Sequence, residues 1–372
     1  MGSKVGTKVI LAFSLVAFIN AFVDLGHKIN IQNTLYKVYD GSTLTYMTAI
    51  VNALILLPFI MLMTPAGFLS DRFNKNKIMR TSAAFSVLIT IAICICYYYG
   101  QFMLAFAATF IMALQSALYS PAKYGYIKDL MGKDGLTFGN SLMQGIAIVA
   151  ILSGMTVFSY IFEHLYADAN LVSPDSAEIL KSIMPSGLIL VGMAICEYLC
   201  TLMLPDVTQD RQSLNFDFKR YIKGSLLKEN MALLKSNDKI IMSVIAVSIF
   251  FAVSQMLLAA FPTYIKQTFN ELNTFYVQLV LGASGLGIIA GSYITLKLSP
   301  HYIETGLIPL GAIGITICST LLMAFDSLVS YSILFFVFGL TFSLVIIPLN
   351  SLMQFYAPDE ALGKVLLSLI HI

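Results

Sequence analysis

Three ionisable residues lie inside the first long apolar stretch of the chain: Asp24, His27 and Lys28, in "NAFVDLGHKI". On a helix, positions i, i+3 and i+4 share one face, so the three side chains converge. That pattern allows three kinds of chemistry. Asp24 and Lys28 can neutralise each other one turn apart, they can meet a charged ligand, or Asp24 or His27 can carry a proton. Two further charges stand close to or within apolar runs. Lys123 follows Pro121 by two positions, and Glu197 lies in "MAICEYLC". A charge at the centre of a bilayer costs at least about 2.5–3.5 kcal/mol on insertion scales, so in a spanning helix each must face protein or water. For Glu197, near one end of its run, a structural role is the expectation. Other chemistries find no support. The five cysteines, Cys94, Cys96, Cys196, Cys200 and Cys318, all fall in apolar runs. No His or acidic residue joins them at ligand spacing, so the reading is buried thiols and no metal. There is no G-x-S-x-G, no H-x-x-x-x-D and no P-loop, hence no enzyme and no cofactor.

The elements that must position these charges follow from composition. The AVILMFWYC class makes up 58% of the 372 residues and charged residues 11%, against about 45–50% and roughly 25% in soluble domains. A soluble chain of this make-up has no adequate surface. A net charge of +2 gives no reason to expect a nucleic-acid partner. A helix crosses a bilayer with about 20 mainly apolar residues. Segments of that kind occupy about 9–35, 44–69, 78–97, 102–121, 138–162 and 184–204. After a break they occupy about 240–265, 274–296, 305–325 and 328–355. An eleventh begins near Lys364 and stops at Ile372, so ten spans and a stub are expected. The "MGSKVGTK" start has no cleavage site and reads as the lead into an uncleaved helix. With the N-terminus in the cytoplasm, 18 of the 22 Lys and Arg fall on that side and three, Lys37, Lys181 and Lys266, on the other. That is the bias of the positive-inside rule.

Residues 205–239 form the long polar stretch after span six. "FDFKRYIKGSLLKENMALLKSNDK" mixes basic and apolar residues at roughly helical spacing, as in a connector helix lying on the membrane surface. Six spans, a basic linker and further spans is the layout of the major facilitator fold. The expectation is therefore an all-α integral membrane protein of two pseudo-symmetric bundles: 1–204, a linker over 205–239, and 240–372, the last incomplete and cut within span eleven.

"GFLSDRFNKNK", between spans two and three, resembles the signature loop of the major facilitator superfamily, G-x-x-x-D-R-x-G-x-K/R-K/R. Gly67, Asp71, Arg72, Lys75 and Lys77 match it, Asn76 interrupts the basic pair, and Asn74 stands where the family has a second Gly. Asn tolerates the left-handed turn that such a Gly implies. These five residues are expected to form a gating latch between the halves. "GSYITLKLSP" is a worn second copy, with Gly291, Thr295 and Lys297. The glycines just before it, Gly282, Gly285 and Gly287, read as helix packing inside an apolar span, not as a dinucleotide loop.

A finer resemblance covers essentially the whole chain. "YSPAKYGYIKDLMGKDGLTFGNSLMQG" resembles the S-P-A-K-Y-G and G-N-x-x-x-x-G segments of the bacterial lysophospholipid transporter family, including its acyltransferase-fused members. "IIPLNSLMQFYAPDEALGKVL" resembles that family's P-L-N-x-x-x-Q segment, and Phe22, Asp24 and Lys28 its F-x-D-N-x-x-K pattern, with Leu25 in place of the Asn. The span-seven Arg of some relatives is missing, and "SIFFAVSQMLLAAFPTYI" offers Ser254 and Gln255 there. The resemblance implies transport of a lysophosphatidylethanolamine-like lysolipid from the outer to the cytoplasmic leaflet of the bacterial inner membrane. It implies membrane lipids as surroundings and an acyltransferase domain or partner enzyme, which would lie beyond Ile372. Lys28 and Lys123 would meet the phosphate and Asp24 the ammonium, with Pro121 breaking or bending span four so that Lys123 turns inward. The alternatives are a proton-coupled carrier of a small solute or drug, using Asp24 or His27, and a non-transporting membrane scaffold.

Overall fold

A computed structural model of the chain describes residues 7–131, 136–171, 174–206, 237–299 and 303–356, with Tyr221 standing alone between them. Among these residues the regular structure is helical and there is no strand. Eleven α-helices follow in order: α1 (Thr7–Val38), α2 (Gly41–Arg72), α3 (Lys75–Tyr99), α4 (Phe102–Met131), α5 (Leu136–Asp168), the short α6 (Ser176–Ser182), α7 (Met184–Leu202), α8 (Asp238–Phe269), α9 (Thr274–Leu298), α10 (Leu307–Thr320) and α11 (Leu328–Tyr356). Nine of them are long and apolar enough to cross a membrane. Span nine of the sequence reading is shorter, α10 with one 3₁₀ turn, together Leu307–Met323. The linker over 207–236, apart from Tyr221, and the expected eleventh span lie outside the described residues.

The helices gather into two compact units. One comprises Met1–Phe216 with Lys266–Thr274, the other Asp217–Ile265 with Phe275–Ile372. In the first unit α1 is the central element, with more than half its length buried. Phe13, Val16 and Ala17 of α1 pack on Met79, Tyr119, Tyr126, Ile127 and Met143. Phe13 meets Tyr126 edge-on at 5.3 Å, and the Tyr126 hydroxyl donates to the Pro205 carbonyl at 2.9 Å. α3 turns into α4 through Gly100 at φ +69°, a left-handed cap that only Gly adopts without strain. The loop before α7 is ordered by a capping box on α6. Asp175 accepts from the Glu178 amide at 2.8 Å, and Glu178 accepts from the Asp175 amide at 3.3 Å. Glu163 of α5 is a hub at that end: it takes Lys37 at 2.9 Å and both the amide and hydroxyl of Thr274 at 2.6 Å.

In the second unit α9 lies directly against α11. A side chain on Gly287 would collide with the backbone of Phe336 and Leu340, and one on Gly339 with the backbone of Ser284. Gly287 and Gly291 are therefore helix-packing positions, as expected from their place within an apolar span. Thr295 is buried and bonds back to the Gly291 carbonyl at 2.9 Å, while Lys297 lies over the Tyr293 ring at 4.8 Å.

Two local expectations are corrected. Pro121 does not break span four: α4 runs through it and continues ten residues to Met131. In a spanning helix the carbonyl left without a donor by Pro can be satisfied by neighbours, so the helix survives. Asn74 is not left-handed. It sits at φ −60°, ψ 122° as the N-cap of α3, because extended Phe73 and Asn74 alone reverse the chain between α2 and α3.

Candidate functional site

Five polar residues of α1 form one row: Asn20, His27, Asn30 and Thr34, all buried, and the half-buried Asp24. Their spacing of three to four residues keeps them on one face. Inside the first unit that row meets α3, α4, α5 and α7. Asn30 donates to Ser186 at 2.9 Å, and neighbouring Asn33 to Ser159 at 3.1 Å. His27 is fully enclosed. Its Nδ1 lies 3.0 Å from the Tyr97 hydroxyl, and its Nε2 lies 3.1 Å from the Ala105 carbonyl and 3.2 Å from Thr109. A neutral ring donating from Nε2 and accepting at Nδ1 satisfies all of these. His27 is thus a braced core residue with no idle nitrogen.

Asp24 and Lys28 do not pair, although one turn apart. Asp24 Oδ2 accepts from the Ser116 hydroxyl on α4, and its Oδ1 has no partner. Both residues line a cavity of about 220 Å³ within the first unit, walled by α1, α2, α4 and one residue of α5. Its polar lining is Asp24, His27, Lys28, Thr109 and Ser116, and the rest is apolar, including Ile55, Phe59, Met112 and Ile151. Lys123 does not line this cavity. Its ammonium lies over the rings of Tyr124 at 4.9 Å and Tyr119 at 5.7 Å, within electrostatic reach of Asp24. The structure thus brings Asp24 and Lys28 to one cavity and couples Lys123 to Asp24 from one side.

Lys123 also acts on Glu197 of α7. Glu197 is completely buried, and its carboxylate lies beside the Asn20 side chain of α1. Sequence reading set this residue aside as structural. Its proximity to Asp24 and Lys123 follows from the packing of α7 on α1 and was not written in any local motif. Ser116 and Tyr119 of α4 were likewise missed, since hydroxyls in an apolar helix carry no pattern of their own.

The signature loop is resolved in part. Gly67 lies in α2, and Arg72, at its end, is exposed and stacks near Phe68 and Phe73. The side chain of Asp71 lies outside what is described. Lys75, the first residue of α3, makes a 2.7 Å ion pair with Asp129 of α4, both nearly buried. Gly125 makes room for it: a Cβ there would stand 2.5 Å from Lys75 Cε. Asn76, the residue that interrupts the basic pair, is buried and anchored to Pro205 and Asp206, while Lys77 is exposed. In the second unit Ser254 lines a smaller cavity of about 110 Å³ with Ser284 and aromatic residues of α11.

Among the described residues, nine helices long and apolar enough to cross a membrane, with Asp24 and Lys28 lining a cavity among those of the first unit, are the features of an integral membrane protein. The Major Facilitator Superfamily profile matches residues 9–368, and the chain belongs to that superfamily as a multi-pass bacterial membrane protein. It is similar to the lysophospholipid transporter LplT of Photorhabdus laumondii, 25% identical over 310 residues, which are 82% of this chain and 70% of that one. It is also similar to the LplT of Klebsiella pneumoniae, 26% identical over 361 residues, 94% and 80% of the two chains. Among solved structures it resembles a bacterial homolog of the human lysosomal transporter Spinster in an inward-facing, unoccupied conformation. The TM-score is 0.69 at 11% identity, over 100% of this chain and 80% of that one. It also resembles a D-xylose–proton symporter, TM-score 0.69 at 15% identity, over 98% and 87%. At such identities the structural likeness is one of fold.

Proposed function

We propose that this chain carries a lysophospholipid, of the lysophosphatidylethanolamine type, from the outer to the cytoplasmic leaflet of the bacterial inner membrane by alternating access. The N-terminus lies in the cytoplasm on this reading, and the chain divides into bundles 1–204 and 240–372 joined by 205–239. The observation that carries it is the cavity with Asp24 and Lys28 in an otherwise apolar wall. Pockets for whole drug-sized ligands run about 300–1,000 Å³, and a cavity of about 220 Å³ suits a headgroup alone. An acyl tail in contact with lipid needs no polar site. A headgroup with one phosphate and one ammonium needs one cation and one anion once it leaves water. Lys28, in the cavity wall, supplies the first, with Lys123 to reach the phosphate from outside that wall, and Asp24 supplies the second. The similarity to the LplT proteins along most of the chain supports the choice of substrate.

Gly67, Asp71, Arg72, Lys75 and Lys77 act as the cytoplasmic latch in this proposal, and the lysolipid delivered inward is consumed by an acyltransferase. The test is inward movement of a labelled lysophosphatidylethanolamine in proteoliposomes, with and without a proton gradient. Transport independent of the gradient is expected. Transport of other solutes driven by the gradient, with no lysolipid moved, points to the proton-coupled carrier. No transport at all points to the scaffold.

A further inference from the structure

Five polar side chains line the cavity of the first unit, and four of them meet in pairs across α1 and α4. Thr109 meets His27 at 3.2 Å, and the Ser116 hydroxyl donates to Asp24 Oδ2. Thr109 and Ser116 are two turns apart on α4 and present one face to α1. The fifth side chain, Lys28, has no such partner among the described residues. This runs against the local preference. An acid followed by a lysine at i+4 attracts it along the helix face, and more strongly where water is scarce. Yet Asp24 leaves Lys28 unpaired and keeps its own Oδ1 without a partner. Ser116 is itself held in place. Its Oγ lies 3.1 Å from Gln115 Oε1, and its one proton goes to the carboxylate, the stronger acceptor. Gln115 is tied to α3 twice: its Nε2 donates to the Ser82 carbonyl at 3.1 Å, and its backbone carbonyl accepts from the Ser82 hydroxyl at 3.3 Å. The turn that carries Ser116 is thus clamped by α3 and stays behind if Asp24 swings toward Lys28.

We infer that Ser116 is a positioning residue of the cavity. It holds the Asp24 carboxylate on the α4 side, keeps the Asp24–Lys28 ion pair from closing, and so leaves an anion and a cation open for a headgroup that carries both charges. The consequence for binding rests on the headgroup reading of the cavity, while the restraint itself is a property of the free protein. Without the Ser116 hydroxyl, Asp24 and Lys28 satisfy each other. A phosphate and an ammonium must then break that pair before they bind, and the apparent affinity falls with the fraction of molecules in which the pair is open. Ser116 touches no ligand on this account and acts through Asp24.

Two measurements on the full chain test this. The first is unfolding in detergent for a double-mutant cycle of Asp24→Asn and Lys28→Met, run once with Ser116 and once with Ser116→Ala. With Ser116 the two substitutions are expected to add to within about 2-fold in the folding equilibrium, and with Ser116→Ala to couple by about 5- to 30-fold. The second is uptake of labelled lysophosphatidylethanolamine into proteoliposomes, resolved into KM and Vmax. Ser116→Ala is expected to raise KM by the same factor as that coupling, with Vmax kept to within about 2-fold, the pattern of lost ground-state binding. Ser116→Thr, which keeps the hydroxyl, is expected to retain the parental KM. The proposal is overturned by equal coupling in both backgrounds, by a KM unchanged in Ser116→Ala, or by a Ser116→Thr variant as impaired as Ser116→Ala. A Ser116 that merely packs α4 gives the first two of these results together with a lowered Tm. If Asp24→Asn or Lys28→Met does not fold, the KM comparison decides. If the parental chain carries no lysolipid, the headgroup reading fails, and the coupling cycle alone decides the restraint.

Discussion

Lys75 opens α3 and pairs with Asp129 near the end of α4 at 2.7 Å. The pair fixes how the signature loop is held, and it can be broken cleanly with Asp129→Asn. Lys75 is 11% exposed and Asp129 2%. Exposed ion pairs contribute about 0–1 kcal/mol, while removing one partner of a fully buried pair costs about 3–5 kcal/mol. This pair lies nearer the buried limit but keeps one side toward solvent. A second term acts in the same direction: a cation at the first residue of a helix opposes the helix dipole by about 0.3–1 kcal/mol, and Asp129 offsets it. Asp129→Asn is therefore expected to destabilise the first unit by about 2–3 kcal/mol.

The measurement is thermal unfolding in detergent for the four members of a double-mutant cycle with Lys75→Met. A coupling energy of about 1.5–3 kcal/mol is expected, or roughly 10- to 150-fold in the folding equilibrium. Because Asp129 makes further interactions, the cycle and not the single variant isolates the pair. A coupling below about 0.5 kcal/mol, the range of surface pairs, would refute the reasoning. So would a larger coupling between Lys75 and Asp71, which would assign Lys75 to the acid of its own loop.

Other outcomes can be stated briefly. Lys123→Ala and Asp24→Ala are each expected to abolish lysolipid transport in proteoliposomes while the protein still inserts and melts cooperatively, and Lys123→Arg to keep part of it; parental rates in both alanine variants place the headgroup elsewhere. Asp71→Asn is expected to change labelling of a cysteine placed near Lys123, by shifting the balance of conformations by about 1–3 kcal/mol; identical labelling leaves the loop a topology signal only. Gly287→Ala puts a methyl group into the Phe336 backbone and is expected to lower yield and Tm, since overpacking at rigid backbone costs about 1–3 kcal/mol or more; an unchanged melt shows that α9 and α11 can part freely. Gly100→Ala forces a left-handed Cβ against the Ala177 carbonyl, 2.9 Å away, for a loss of about 1–2 kcal/mol from the backbone alone, and a neutral result removes the cap argument.

What the sequence made legible divides along a physical line. Span positions came through closely, because a run of about 20 apolar residues is a property of the chain itself. The expected 274–296 became Thr274–Leu298 and the expected 328–355 became Leu328–Tyr356. The misjudged end was that of α4, where Pro121 was read by the rule for soluble helices. Asp24, His27 and Lys28 stood out because charge in an apolar run is rare, yet the sequence did not sort their roles. His27 became a braced core residue through Tyr97, Ala105 and Thr109, all more than 60 positions away. Asp24 turned to Ser116 and left Lys28 unpaired with it, a choice made by the approach of α4. Glu197 stood out by the same signal and was read as structural, and only the packing of α7 against α1 sets it near Asp24. The spacing rule says which residues of one helix share a face. It is silent on what the neighbouring helix brings to that face, and the nearness of Glu197 to Asp24 arises there.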